Sequence, residues 1–428
     1  MKHSIPIFYA EYGRYINRFR AIPYYIDMLK PIERRLLLVL HKSARNKFVK
    51  SAKIVGECIG NYHPHGDMST YSALVQLVRS QFAIGQGNWG AVGLKIDDAA
   101  AMRYTEVSIN PQVDELFSEL LDFSIWEILE LEKEPLFLPS PIPLGLIGND
   151  VISGISFYHT LVPQYILGDL VNRLRYLLND GEKVIIKPNI ENCDLIEAEP
   201  NAFEKILTDG YGDIIVRPHY KINKNTIEIY GRCPIYGFNS LIKVADELEL
   251  ALLDEFSKPN HAIIVESNRR ITNDIVKQVI DAITFKLNFN VNVTDDKGNV
   301  SRLGIDEILI NNYNKWKECL LKKLNNDYDI LLDKKRENEI IAIIRKILEE
   351  NPTVKSVAEV EKLYNTSKYY NKLFDSSEIV SVMNRRNIKS LIEYSININD
   401  IVNSINSVKN NINNIDKFSY SKFIRMFS

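Results

Sequence analysis

Six aliphatic residues near the end of the chain, Ile398, Ile401, Ile405, Val408, Ile412 and Ile415, recur at spacings of 3-4-3-4-3. That rhythm is a heptad seam, and it commits the segment to a helix that lays one narrow apolar stripe against another helix. Asn403, Asn406, Asn410, Asn411, Asn413 and Asn414 all fall outside the seam, as a solvated face would. A similar stripe starts about eighty residues earlier with Tyr313, Trp316, Leu320 and Leu324. Two long helices flanking a smaller helical region predict an antiparallel coiled coil with a globular tip. A coiled coil formed between chains fits the same spacing.

The rest of the 428 residues is too much for one core and predicts about two or three domains. Prolines recur as far as Pro259, after which Pro352 alone remains. The first segment, 1–140, alternates helical patterns with Gly-rich turns. Pro31 suits the first turn of a helix carrying Leu36 to Leu40. A second helix is predicted around Ala52 to Ile59, ending at Gly60, and a third from Asp67, read as an N-cap, with Tyr71, Leu74, Val75 and Val78 at helical spacing. Short helices and tight turns in a basic segment suit a helix-turn-helix or winged-helix module. The segment 141–310 mixes strands with loops. Asp213 to Arg217 and Thr226 to Tyr230 read as strands flanking a turn at Asn223 to Asn225, and Val291 to Val293 with the turn Asp295 to Asn299 suggest another hairpin. With the helices of 311–428, the expected class is α+β, mainly helical.

The formal net charge of -2 hides an uneven distribution. Twelve Lys or Arg lie between Lys2 and Lys53, against Glu11, Asp27, Glu33 and Glu57 among the first sixty residues. A local excess of about eight positive charges is what a phosphate-binding surface needs, although a solvated basic face has the same signature. At 45% apolar and 25% charged residues the chain reads as globular. It has no run of about 18 apolar residues to cross a membrane, and its start lacks the apolar stretch of a secretory signal. Cys58, Cys193, Cys233 and Cys319 are scattered, which suits a reducing cytoplasm and supplies neither disulfide framework nor zinc site.

The chemistry is concentrated between positions 20 and 106. In order come Arg20-Ala-Ile-Pro, Leu29-Lys30-Pro31, Arg34-Arg35, Gly60-Asn-Tyr-His63-Pro-His65-Gly-Asp67, Gly85-Gln-Gly-Asn-Trp-Gly90 and Ala99-Ala-Ala-Met-Arg103-Tyr104-Thr-Glu106. The two histidines invite a metal reading, but no further His or Cys cluster stands at ligand spacing, so no metal site is expected here.

This succession resembles the A subunit of bacterial gyrase and topoisomerase IV, type IIA DNA topoisomerases whose pattern runs GRALP, DGLKPVxRR, GKYHPHGD, GQGNFG and AAMRYTE. The resemblance continues more weakly through Leu138-Pro-Ser-Pro-Ile-Pro, Ser153-Gly154-Ile155 and Gly210-Tyr-Gly212 to the heptad helices. It implies a winged-helix DNA-gate domain over 1–140, a tower domain over 141–310, and over 311–428 a coiled coil whose tip makes a second dimer contact. It implies Tyr104 as the nucleophile that becomes joined to a DNA 5′ end, with Arg103, Arg20, Lys30 and His65 around the scissile phosphate. Arg34, Arg35, Lys53 and His63 would hold flanking DNA, and Ile155 would wedge between base pairs to bend it. A homodimer on double-stranded DNA is implied, completed by a B subunit that binds ATP and holds Mg2+ in a Toprim domain, in a cytoplasmic, nucleoid-associated A2B2 enzyme. Neither an ATPase motif nor a Toprim-like acidic constellation is evident in this chain. The family's DNA-wrapping pinwheel has no counterpart before residue 428, so relaxation or decatenation is expected ahead of negative supercoiling. A non-catalytic DNA-binding paralogue is the alternative. The complete set around Tyr104 argues against it.

Tyrosine chemistry explains these residue types. Attack by the phenolic oxygen on a phosphodiester gives another phosphodiester, so religation needs no separate energy source. A free tyrosine has a pKa near 10, so the site must favour deprotonation and neutralise phosphoryl charge. The chain departs from the family at Met28, where a glycine is usual, at Ser108, where an arginine is lost, and at Met68 and Ser72. The last two stand where bacterial relatives carry a serine and an acidic residue that anchor the quinolone water–metal bridge. Fluoroquinolones are therefore expected to poison the enzyme weakly. Cleavage complexes trapped at ordinary drug concentrations would overturn that expectation.

Overall fold

Pro31 is the first residue of helix α2 (Pro31–Ser43), where its fixed φ is already helical and its missing N–H is no loss. The Glu33 carboxylate accepts from the Lys30 backbone N–H at 2.9 Å and closes the helix start. Leu36 to Leu40 are buried without interruption, so this helix is packed on every side. Helices α3 (Ser51–Asn61) and α4 (Asp67–Arg79) pack on it. Their shared core includes Leu37, Val55, Cys58, Leu74, Val107 and Phe117. Gly66, not Asp67, is the N-cap of α4; Asp67 sits in the first turn, where the helix dipole favours a carboxylate. A three-stranded antiparallel sheet covers the helices, with Glu106–Ile109 between Val49–Lys50 and Ala83–Gln86.

The computed structural model describes residues 4–92, 96–230, 233–255, 262–366, 374–385, 390–391 and 397–428. The chain divides into two units, Met1–Trp316 with Phe427 and Lys317–Met426 with Ser428. The division falls inside the 46-residue helix Ile305–Glu350, and the segments 1–140 and 141–310 lie together in the first unit.

Beyond the three-helix core, the first unit has a five-stranded antiparallel sheet ordered Cys193–Glu197, Tyr211–Pro218, Phe285–Asn290, His159–Pro163 and Val151–Ile155. A four-stranded sheet follows the order Tyr220–Ile222, Thr226–Tyr230, Ala262–Glu266 and Ala251–Asp254. The turn at 223–225 therefore belongs to Tyr220–Ile222 and Thr226–Tyr230. The strand around Asp213 to Arg217 pairs elsewhere, because its alternating Gly212, Ile214 and Val216 face a different core. The second predicted hairpin forms between Asn292–Thr294 and Val300–Arg302, with Gly298 at φ +77 in its turn.

In the second unit, Ile341, Ile344, Val360, Tyr364, Ile379 and Val382 build a helical core. Of the heptad seam, Ile401 and Ile405 are buried and the other four residues half-buried, while Asn403, Asn406, Asn410, Asn413 and Asn414 are exposed. The seam is carried by two helices, Ile398–Asn413 and Ile415–Met426, interrupted at Asn414. An ion pair of 2.7 Å from Lys317 to Asp416 brings the long helix against the last one, so the chain folds back on itself.

The turn before α2 holds a close backbone contact. Asp27 is fully buried, and Met28 adopts φ +57, a conformation glycine takes more readily. Gly145 donates its N–H to the Asp27 carbonyl at 2.9 Å, and a Cβ there would lie 2.1 Å from the Met28 carbonyl oxygen. Gly145→Ala is expected to destabilise the first unit by roughly 1–3 kcal/mol in denaturant unfolding. Gly168→Ala, whose Cβ meets nothing within 4 Å, is the control expected to be neutral or slightly stabilising. Equal effects from the two would contradict the packing argument.

Candidate active site

Tyr104 stands on a turn that is gripped from behind. The N-terminus of α3 has free backbone donors. Ser51 N–H donates to the Thr105 carbonyl at 3.0 Å and Ala52 N–H to the Met102 carbonyl at 3.1 Å. The turn closes on itself through Tyr104 N–H to the Ala101 carbonyl at 2.8 Å. Below it, the Tyr71 hydroxyl donates to the Ala100 carbonyl at 2.6 Å and lies 2.9 Å from the Thr105 hydroxyl, which donates to that of Ser51. Thr105 and Ser51 are fully buried, whereas the Tyr104 side chain is 64% exposed. The backbone is thus fixed and the phenol is presented. The Arg103 guanidinium lies over the Tyr104 ring, 4.6 Å from its centroid, where a cation favours a developing phenolate.

A second group of predicted residues gathers around α2. The helix α1 (Ser4–Ile16) runs into a π-turn, Asn17–Ala21, that carries exposed Arg20. One Arg20 Nη donates to His65 Nδ1 at 2.8 Å. Lys30, at the start of α2, donates through Nζ to the Ser153 carbonyl. Ser153 belongs to the strand that ends at Ile155, 74% exposed at a hairpin tip and paired across it with His159. Gly154 lets that hairpin close on the π-turn, since a Cβ would stand 2.2 Å from the Ala21 carbonyl oxygen. Lys53 is exposed on α3, 3.5 Å from Glu57. Among the described residues, no hydrogen bond or ion pair joins Arg103 or Tyr104 to Arg20 or His65.

The expectation for Arg34, Arg35 and His63 gives way to a structural role, because all three are buried and their polar atoms are engaged inside the protein. Arg34 donates through Nε and Nη2 to both Asp27 oxygens at 2.7 and 2.8 Å. Arg35 makes two bonds of 2.8 Å to Glu134, one of 2.7 Å to Glu130 and one of 2.8 Å to His63 Nδ1. Burial lowers the pKa of each guanidinium, and the paired carboxylates more than offset it. Sequence reasoning misses Glu130 and Glu134. Their Glu-Leu-Glu-Lys-Glu run reads as a solvated charged stretch, and only its separation from the basic segment hints at pairing.

Burial, and then the charge of Arg35, hold His63 well below its usual pKa, at about 3; His65 is lowered by burial and Arg20, against the opposing pull of Glu130. Both rings are therefore neutral near pH 7. His63, His65 and Glu130 bring one ligand atom each within 4.8 Å of one another. They do not suit Mg2+, which takes oxygen ligands, and two guanidiniums flank them. Among the described residues no helix is long and apolar enough to cross a membrane.

A family model that describes the A subunit of DNA gyrase and topoisomerase IV matches residues 20–426. The A subunit of DNA gyrase from Buchnera aphidicola is 30% identical over 351 residues, covering 74% of this chain and 42% of that protein. The A subunit of DNA topoisomerase 4 from Staphylococcus aureus MRSA252 is 29% identical over 359 residues, 75% of this chain and 44% of its own length. The A subunit of DNA gyrase from Campylobacter jejuni is 35% identical over 246 residues, 53% of this chain and 28% of its own. The chain thus spans less than half the length of these relatives.

Neutral, buried His63 makes the site acid-sensitive. Its folded pKa, about 3, lies below the unfolded value of about 6.5, so between these pH values the unfolded chain binds the extra proton. Stability should fall as pH drops through that window, with a slope of up to about 1.4 kcal/mol per pH unit from this residue. His63→Gln is expected to flatten that limb in unfolding titrations. An unchanged slope would assign the acid sensitivity to other groups.

Proposed function

Because the chain belongs to the A-subunit family of DNA gyrase and topoisomerase IV, we propose that it is the DNA-cleaving and rejoining subunit of a type IIA topoisomerase, with Tyr104 as nucleophile. The observation that carries this reading is the exposed Tyr104 phenol on a buried, hydrogen-bonded turn, with the Arg103 cation over its ring. The helices α2, α3 and α4 with their three-stranded sheet suit a winged-helix DNA gate. The segment 141–310 suits the tower, and the long helix with the helical core suits the coiled coil and second dimer contact.

The Tyr104 oxygen forms a bond to phosphorus while the bond to the 3′ oxygen breaks. The phenol gives up its proton to solvent, and the departing 3′ oxygen takes one up. Reversal rejoins the strand, and nothing is consumed. Arg103 stabilises the phenolate and the phosphoryl oxygens, while Arg20 and Lys30 offer cations to the adjacent backbone. Ile155, projecting from its hairpin, wedges a base step open and bends the duplex. Two protomers cut opposite strands. A B-type partner completes an A2B2 assembly and binds ATP. It also holds most of the Mg2+, which neutralises phosphate charge when bound; the residues described here are not its ligands.

The test is a cleavage assay on supercoiled plasmid with Mg2+ and the B-type partner, stopped with detergent and run with and without protease. Linear DNA carrying protein on its 5′ ends is expected, and it should vanish in Tyr104→Phe while DNA binding stays within about twofold. Intact binding without adducts, with a competent partner present, would support a non-catalytic DNA-binding role instead.

A further inference from the structure

The hairpin Trp126–Ile128 and Lys133–Pro135 carries Glu130 in its tip. Glu132 N–H donates to the Asn61 carbonyl at 3.1 Å and fixes that tip beside the end of α3, two residues before His63. The Glu130 side chain is only 7% exposed. Its Oε2 accepts from Arg35 at 2.7 Å, its Oε1 accepts from the Tyr15 hydroxyl at 2.6 Å, and the same Oε1 faces His65 Nε2 at 3.8 Å. Arg35 already has a two-bond partner in Glu134, so charge balance on Arg35 does not by itself require a second carboxylate.

The tautomer of His65 shows what the second carboxylate does. Nδ1 accepts from Arg20, so a neutral ring must carry its proton on Nε2. Nε2 is buried and has no partner within hydrogen-bond distance, and the carboxylate it faces is Glu130. His65 therefore does not turn a free nitrogen toward solvent. It stands between a buried acid and the exposed Arg20 guanidinium. The same hairpin braces the segment that carries Arg20, through Tyr15 to Glu130 and through Arg18 to Glu127 at 3.6 Å.

We propose that Glu130 is a positioning residue for DNA cleavage: by facing the Nε2–H side of His65 it holds the ring in the orientation in which Nδ1 meets Arg20, and through His65 it aims Arg20 at the DNA backbone. The role in cleavage rests on the reading of Tyr104 as nucleophile. The link from Glu130 through His65 to Arg20 does not. Charge alone would not need this arrangement, because the cation that meets DNA is Arg20, whereas Glu130 sets where that cation points.

Two measurements test it on the full chain. In the first, 15N spectra of the histidine rings in the DNA-free protein are expected to show the Nε2–H form at His65, and a mixture of tautomers in Glu130→Ala. In the second, covalent-complex formation with the B-type partner is expected to slow by about ten- to a hundredfold in Glu130→Ala, with DNA affinity within about twofold. Glu130→Gln, which keeps an acceptor for Nε2–H, should recover much of the rate. Tyr15→Phe removes only the bond to α1 and should leave the tautomer unchanged. An unaltered His65 spectrum in Glu130→Ala overturns the link. A wild-type cleavage rate in that variant, or a loss that tracks DNA affinity and is not recovered by Gln, overturns the role in cleavage. Absence of adducts in the unsubstituted protein would instead strike at Tyr104, leaving the tautomer result to stand by itself.

Discussion

A buried guanidinium that has to satisfy its donors without water organises the site-bearing part of this protein. Arg35 lies on α2, yet its acceptors come from the loop after α3 and from the hairpin after residue 125. Removing one partner of such a pair leaves a charge stranded in a poor solvent, at a cost of about 3–5 kcal/mol, although the intact pair adds little net stability. Its effect is therefore geometric. The alternative arrangements of the His63 loop and the Glu130 hairpin are those that strand Arg35. Asp27 and Arg34 do the same one position earlier, where the carboxylate also accepts from the backbone of Leu29 and Leu138.

This use of charge changes what a basic segment means. Part of the excess of Lys and Arg before residue 54 is spent on internal pairs with acids that arrive much later in the chain, so the net surface charge is smaller than the count suggests. Among the described cations of that segment only Arg34 and Arg35 are buried; Arg20 on its π-turn and Lys53 on α3 are among those left exposed, as is Arg103 over the Tyr104 ring. A surface that held DNA by charge density alone would want all of them outside. The observed division suits a protein whose phosphate contacts have to be aimed, because positioning and charge stabilisation are most of what phosphoryl transfer asks of a protein.

What is legible in the sequence is what depends on short range. The start of α2 at Pro31, the span of α3, the hairpin at 295–299 and the inward heptad stripe follow from caps, turns and periodicity within a few residues. The pairing of the Tyr211–Pro218 strand is not legible, because alternation identifies a strand and one buried face, not which neighbour it takes. Met28 reads as a simple departure from a glycine, yet it occupies the left-handed conformation that glycine would have supplied, with Gly145 packed against it. Arg34 reads as a DNA contact from the basic run it stands in, although its acceptors Asp27 and Leu29 are close by. Arg35 and His63 read so because the partners of Arg35 lie about thirty to a hundred residues away, two of them in an acidic run that looks like a solvated loop. Side-chain pairs at that separation leave no periodic trace. Arg103 and Tyr104 are easier, because the motif around them keeps their supporting turn within a few residues.

The two halves of the site are held in different ways. Tyr104 is carried by backbone hydrogen bonds from the N-terminus of α3, reinforced by buried hydroxyls of Ser51, Tyr71 and Thr105. Displacing that turn would cost several such bonds at once. Arg20 is aimed by a series of side chains, each of which can rotate: Glu130, then the His65 ring, then the guanidinium itself. Backbone support gives a nucleophile a fixed place from which to attack and return, as repeated breaking and rejoining of one bond demands. A side-chain series would let the cation follow a phosphate if the duplex bends around Ile155, as proposed. With Tyr104 as the proposed nucleophile, the firm element would carry the covalent step, and the adjustable one would meet the part of the DNA that changes shape.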